Sequence, residues 1–454
     1  MNLRIRHVSL KTQEYRTPEK VFQPLANQPY AVLLTGEGAC GVAESSLIAT
    51  QPQFVLFYEE GFQTYPEQKL SRGFWQVQQQ VLAATNFHNY AFPINRCGII
   101  GYLTYNSKKF TEDLPKLVRS DYQIPLMQMV LYRHYMYFDH AQHSLYEIYL
   151  DYETEPAKAF VPNTFVRTGD FYLGSLQSDI GQKEYLEKIK SIQAAIRRGE
   201  VYEVNLSRRI QAEFRGNPYS FFQALYHKNP APFSVFWNMP EFQILSTSPE
   251  LFLRAEQRQV QTRPIKGTAP RGLTKEEDRQ NRNKLYANEK EQAELYMIVD
   301  LLRNDLGKVS EFASVVVDAK KKLETYRQVH HLVSIIRSRL IQGITYIDLL
   351  KACFPGGSIT GCPKIRCMQI LEELEVYERN LYTGTIYVMN QDYCNSNIAI
   401  RSGIIKDGWC YFHTGGAITI DSDPQKEYQE TEHKIRHFLE LAASYTVPEK
   451  KHIL

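Results

Sequence analysis

The sequence predicts an α+β fold, and three observations carry that expectation. Short β-favouring runs separated by turns fill the first 160 positions. Helix-period segments with their own start and stop signals follow from residue 182 onward, alternating with further strands. There is no fixed-period repeat and no evident nucleotide-binding sheet. At 454 residues the chain exceeds one small core, so two domains or one large intertwined unit are expected.

In chain order, the early strands are Tyr30–Thr35, Gln53–Tyr58 and Cys97–Tyr105. The polar, Pro- and Gly-bearing stretch Glu153–Asp179 marks a boundary, dividing a domain at 1–160 from one at 180–447. Gln182–Arg198 is an amphipathic helix: Tyr185, Ile189, Ile192 and Ile196 share one stripe, and Gly199 stops it. Strands then follow at Phe233–Trp237, Phe242–Ser246, Gln259–Arg263, Thr385–Met389, Asn397–Ile405 and Trp409–His413. Helices are expected at Thr274–Ala287, Glu289–Asp305, Tyr346–Cys353, Pro363–Leu374 and Gln425–Ala443. Thr274 with Glu277, and Asn288 with Glu291, have capping-box spacing, so the first two of these helices meet at a bend near Asn288.

Composition narrows the function. Hydrophobic residues at 43% and charged residues at 23% describe an ordinary globular protein. A net charge of +3, with Lys320–Lys322 as the one basic run, indicates no nucleic-acid partner. The seven cysteines (Cys40, Cys97, Cys353, Cys362, Cys367, Cys394, Cys410) are odd in number and form no C-x-x-C pair. That points to free thiols in a reducing compartment rather than disulfides or a zinc site. MNLRIRHVSLKTQEYR lacks an apolar signal core and no apolar run is long enough to span a bilayer, so a cytoplasmic protein with no membrane partner is expected.

Four features could carry chemistry. Glu291 and Glu294, and again Glu427 and Glu430, lie three apart on helices, which puts each pair on one face. If the faces met, an oxygen-only set would favour Mg²⁺; otherwise both are solvated faces, Glu430 pairing with Lys434. A di-iron bundle needs two E-x-x-H motifs, and only Glu430–His433 supplies one. The loop FPGGSITGCPK (354–364) leads into a helix, a setting for an anion, but Cys362 stands where a phosphate loop needs lysine. Gly415 and Gly416 could offer amides to a carboxylate beside Arg401, or simply close a hairpin. Lys266 in TRPIKGT is a surface cation unless desolvation or neighbouring positive charge strips its proton, which would make it a nucleophile.

Together the segments SPELF (248–252), TRPIKGT (262–268), AELYMIVDLLRNDLG (293–307), VHHLVS (329–334), FPGGSITGCPK, NIAIRS (397–402), TGGAI (414–418) and EYQET (427–431) resemble, in order, the chorismate-utilising enzymes. That family holds anthranilate, aminodeoxychorismate, isochorismate and salicylate synthases. The resemblance covers roughly Gln182 to Ala443; the N-terminal part is matched loosely. It implies an anthranilate-synthase-component-I-like fold of two packed antiparallel-rich sheets flanked by helices. It further implies Mg²⁺ held by Glu294 and Glu430, with Glu291 and Glu427 adjacent. Substrate binding falls to Gly267, Thr268, Arg401, Gly415, Gly416, Ala417 and Lys434, with Glu250 as general acid, His331 assisting and Lys266 as covalent nucleophile. Lysine rather than alanine at position 266 resembles aminodeoxychorismate synthases over anthranilate synthases, the closest alternative. Glu203, where isochorismate and salicylate synthases carry lysine and the family usually has glutamine, speaks against those two activities. Cys362 and the segment Gly384–Val388 also depart from the family pattern. No glutaminase turn is present and Cys40 is a poor nucleophile, so ammonia would come from a separate glutamine amidotransferase subunit. A separate lyase would release 4-aminobenzoate for folate. A catalytically silent, anion-binding scaffold for an amidotransferase is the remote alternative.

Overall fold

The computed structural model describes residues 2–9, 17–36, 45–68, 70, 73–85, 87, 90–151 and 169–444. Cys40 and most of the expected boundary stretch lie outside these residues. The elements that place the site are, in order, β1 (Val32–Thr35), β2 (Ser45–Tyr58), β3 (Ile99–Leu103), β4 (Met127–Asp139), α1 (Gln182–Arg197), β5 (Glu203–Gly216), β6 (Phe233–Asn238), β7 (Phe242–Ser248), β8 (Leu251–Glu256), β9 (Gln259–Arg263) and β10 (Ile265–Pro270). They continue with α2 (Lys275–Ala287), α3 (Glu289–Gly307), β11 (Val316–Thr325), β12 (Val329–Arg339), α4 (Tyr346–Cys353), β13 (Gly361–Cys362), α5 (Lys364–Leu374), β14 (Thr385–Met389), β15 (Tyr393–Asn397), β16 (Ser402–Lys406), β17 (Trp409–Ile418), α6 (Pro424–Lys434) and α7 (Arg436–Ser444).

Local chemistry sets the helix ends. Thr274 accepts a hydrogen bond from the Glu277 amide and starts α2. Asn288 is at once the C-cap of α2 and the N-cap of α3, and its extended backbone makes the expected bend. Pairing among the named strands is antiparallel, and shared strands join the expected sheets into one hydrogen-bonded network flanked by helices. β5 is central to it: β17 runs along most of its length, and β13 pairs with its first two residues.

Pairing also crosses the expected boundary. β1 joins β6, and β3 joins β14. The largest core follows suit, packing Tyr102 and Val130 with Trp237, Phe252, Ile298 and Tyr387. A second core gathers Phe22, Phe236, Phe412 and Phe438. Burial of this kind contributes roughly 25 cal/mol per Å² of apolar surface, so the first segment is held by the second.

Three sequence expectations need correction. Asn397–Ile405 is not one strand: β15 ends at Asn397, β16 begins at Ser402, and Arg401 between them adopts a φ of 51°. Gln425–Ala443 is two helices, because the chain turns at Ile435. Gly415 and Gly416 do not close a hairpin; they lie inside β17, opposite Ser207 and Leu206.

Candidate active site

Lys266 is aimed by a bulge. β10 pairs with β12, and the register shifts between Lys266 and Thr268, leaving Gly267 at a φ of 73° that suits glycine. The Lys266 Nζ donates to Glu203 Oε1 at 2.7 Å, in a pair where the lysine side chain is 10% exposed and the glutamate 0%. Of the two routes to a free amine, burial is present but cationic neighbours are not. Burial pushes the lysine pKa down, yet Glu203, Glu294 and Glu250 outweigh it and leave the value above normal.

Glu203 opens β5, and its position depends on Gly361. That residue has a φ of 120°, and a Cβ there would lie 2.1 Å from the Glu203 carbonyl oxygen. Glu250 sits in the turn between β7 and β8. Burial pushes its carboxyl up to about 7, although the Ser358 hydroxyl, donating to Oε1 at 2.7 Å, pulls the other way. A carboxyl half-protonated near neutrality is suited to giving up a proton.

His331 lies opposite Thr268 across the β10–β12 ladder, with Nδ1 3.0 Å from the Thr268 hydroxyl. Burial, reinforced by Arg401, pushes the imidazole down to about 3, so the ring is neutral. The Arg401 backbone carbonyl accepts from the Thr247 amide at 3.0 Å, while no acid pairs with its guanidinium among the described residues. Burial lowers its pKa, the condition an arriving carboxylate would relieve.

The two glutamate faces do meet. Glu291 and Glu294 lie on α3, Glu427 and Glu430 on α6. Burial raises the Glu291 carboxyl, with the charge of Glu430 adding to it. Glu294 is pushed up to about 7 by burial, against Lys266 and with help from Glu203 and Glu291. Burial also raises Glu427, whereas Lys434 lowers Glu430. Lys290 Nζ stands 3.9 Å from Glu294 and 4.0 Å from Glu427, bridging the helices as a cation. Among the described residues no three His, Cys, Asp or Glu side chains are gathered closely enough to hold a metal as they stand. The donor set nonetheless fits a hard divalent cation: all donors are carboxylate oxygens, and a lysine ammonium already bridges the two faces.

Lys434 donates to the Gly415 carbonyl and to Glu430 Oε1, at 2.8 and 2.7 Å. Backbone groups alternate in direction along a strand, so Gly415 and Ala417 turn to the open edge of β17 while Gly416 points into the β5 ladder. Gly416 therefore contributes space rather than an amide: a Cβ there would lie 3.3 Å from Glu427 Oε2.

The loop read as an anion cradle is used largely on protein partners. Ser358 bonds Glu250, and Lys364 bonds Asp305 and the Cys353 carbonyl at 2.5 and 3.2 Å. Ser358, Lys290 and Ser422, whose hydroxyl donates to Glu427 at 2.7 Å, escaped sequence reasoning. Only Ser358 had a signal, as one of two hydroxyls, with Thr360, between the glycines of a flagged loop.

Comparison with known proteins gives the family. A family model described as chorismate binding enzyme matches residues 41–440. Aminodeoxychorismate synthase component 1 of Klebsiella aerogenes is 36% identical over 444 residues, covering 93% of this chain and 95% of the relative. Anthranilate synthase component 1 of Aquifex aeolicus is 31% identical, covering 92% and 91%. The crystal structure of anthranilate synthase component I from Streptococcus pneumoniae superposes with a TM-score of 0.77 at 30% identity, covering 88% of this chain and 92% of that one. The chain belongs to the chorismate-binding enzyme family.

Proposed function

We propose that this chain aminates chorismate to 4-amino-4-deoxychorismate, the precursor of 4-aminobenzoate and folate. The observation that carries the proposal is the enclosure of Lys266 beside Glu250, within the charge field of the α3 and α6 glutamates. Higher identity to an aminodeoxychorismate synthase component than to an anthranilate synthase component supports the same choice.

Glu294 and Glu430, with Glu291 and Glu427 adjacent, would hold Mg²⁺, which when bound supplies positive charge for the ring carboxylate of the substrate. Arg401, the edge amides of Gly415 and Ala417, and Lys434 orient the substrate's carboxylates; Gly267 and Thr268 shape the wall beside it. Neutral His331 serves as a hydrogen-bonding partner. Glu250 protonates the departing C4 hydroxyl while the Lys266 amine bonds to C2 and the ring double bonds shift. Ammonia then adds at C4 and expels the lysine, so two easier displacements replace one difficult one. Ammonia is supplied by a separate glutamine amidotransferase subunit, and a separate lyase acts on the product. In this reading residues 180–447 carry the catalysis, and 1–160 are an N-terminal domain whose strands pair with those of the catalytic part. No helix among the described residues is long and apolar enough to cross a membrane, and six described cysteines are free thiols, both in keeping with work in the cytosol.

Incubation with chorismate, Mg²⁺ and ammonium should yield a product that an added lyase converts to 4-aminobenzoate. Chelation should abolish the reaction and Mg²⁺ restore it, which a silent scaffold would not show. Lys266→Ala should remove both turnover and a chorismate adduct detected on this lysine by mass spectrometry. Fluorescent anthranilate as the product would overturn the proposal, and ordinary turnover by Lys266→Ala would overturn its covalent step.

A further inference from the structure

The two helices whose glutamates are proposed to hold Mg²⁺ are themselves held in different ways. α3 buries Leu295, Ile298, Val299, Leu302 and Leu306, an apolar stripe that seats it in the core. α6 has no such stripe: the residues it buries are Glu427 and Thr431, with the Tyr428 ring half-buried beside them. Apolar contact alone therefore leaves its rotation about its own axis loosely set. Its grip comes instead from one rung of the β5–β17 ladder, where Arg208 and Thr414 lie directly opposite each other. Both reach Thr431. Arg208 Nε donates to the Thr431 hydroxyl at 2.9 Å, and the Thr414 hydroxyl donates to the Thr431 carbonyl at 2.8 Å. That carbonyl is open to it because the Ile435 amide, which would continue the helix, turns to Glu432 and His433. Arg208 also donates to the Ser178 hydroxyl at 3.1 Å and lies 4.6 Å from the centre of the Tyr428 ring. Its acidic neighbour Glu432, at 3.8 Å, is half-exposed, so pairing of charge is not the main work of this buried arginine.

We propose that Arg208, acting through Thr431, is a positioning residue that fixes the rotation of α6 and so aims Glu427 and Glu430 at α3. This rests on the Mg²⁺ reading given above. Thr431 follows Glu430 directly and lies one turn beyond Glu427, so both carboxylates turn with it. Side chains end about 5–6 Å from a helix axis, so a roll of about 20° carries a carboxylate about 2 Å sideways. Mg²⁺ tolerates little of that, since it demands near-ideal octahedral geometry at about 2.0–2.1 Å. A planar guanidinium sets direction as well as distance, which an apolar side chain of like length would not. α3 needs no such device, because its apolar stripe already fixes its face. EYQET thus holds two kinds of residue: glutamates that would meet the cation, and a threonine by which they are aimed.

The test is titration of the full chain with Mn²⁺, which suits the same oxygen donors, the free ion being read by electron paramagnetic resonance. Chorismate is present and ammonia absent, so the readout is binding and not turnover. Thr431→Val keeps the volume but loses the hydroxyl, and should weaken Mn²⁺ binding at least about tenfold. Arg208→Met should weaken it by a similar factor. Thr431→Ser, which gives up packing but keeps the hydroxyl, should bind as the native chain does. Arg209→Met is the control for a merely structural loss. Arg209 donates to both carboxylate oxygens of Asp121 at 2.6 Å, on the other face of the same strand. Its removal should leave Mn²⁺ affinity unchanged. Native affinity in Thr431→Val or Arg208→Met, or equal weakening in Thr431→Ser or Arg209→Met, would overturn the proposal while leaving the Mg²⁺ reading intact. Absence of bound Mn²⁺ in the native chain would remove that reading and the aiming of α6 with it.

Discussion

Two buried ion pairs hang on the same few residues of β5, and they are built in opposite ways. Arg379 and Glu375 form one. The guanidinium donates to Glu375 Oε1 and Oε2 at 2.7 and 2.8 Å, to the Asn205 carbonyl at 2.6 Å, to the Ile359 carbonyl at 3.1 Å and to Thr383 at 3.2 Å. Glu375 in turn accepts from the amide and hydroxyl of Ser207. Lys266 and Glu203 form the other, with a single bond between them and a glutamate oxygen left unpartnered. An arginine held by a planar fork cannot change its charge, whereas a lysine on one bond can. The first pair fixes where the strand lies; the second holds its lysine by one bond alone.

The contrast is sharpest under deletion. Arg379→Met should cost about 3–5 kcal/mol in chemical denaturation, because Glu375 is left buried without its cation and keeps only its bonds from Ser207. Lys266→Met should cost less, about 1.5–3 kcal/mol, because a single charge-assisted hydrogen bond is lost. Equal losses would mean that the two pairs do the same work. Ser358→Ala should change stability by about 1 kcal/mol, the worth of one hydrogen bond, and its informative readout is the pH profile. The hydroxyl stabilises charged Glu250 and so holds its pKa down to about 7. Without it the acid form persists to higher pH, and the alkaline limb of kcat/KM, measured at constant free ammonia, should move upward. A limb that stays in place would remove Glu250 from the role of acid.

Much of this was readable before any coordinates. Tyr346–Cys353, Gln259–Arg263 and Thr385–Met389 have the bounds expected of them, because caps and turn residues mark local ends. The glutamate pairs were legible as helix faces, and Glu250 and Lys266 through the motifs that contain them. What stayed hidden depends on distant partners. The break before Arg401 and the place of Gly415–Gly416 inside a strand follow from which edge finds a neighbour, and local pattern does not specify that. The pairing of β1 with β6 joins residues some two hundred positions apart. Lys266 shows the limit most clearly: its sequence context fixes its strand, while its charge is decided by Glu203, Glu294 and Glu250 from elsewhere in the fold.

The two-rung ladder between β13 and the start of β5 has a mechanical consequence. Gly361 and Cys362 lie against Val204 and Glu203, and the 3₁₀ turn holding Ser358 sits just ahead of them on the same loop. Ser358, the partner of the proposed acid Glu250, and Glu203, the partner of the proposed nucleophile Lys266, are therefore carried on opposite sides of one short clasp. A shift of that clasp would disturb both contacts at once, so Glu250 and Lys266 share a single lever.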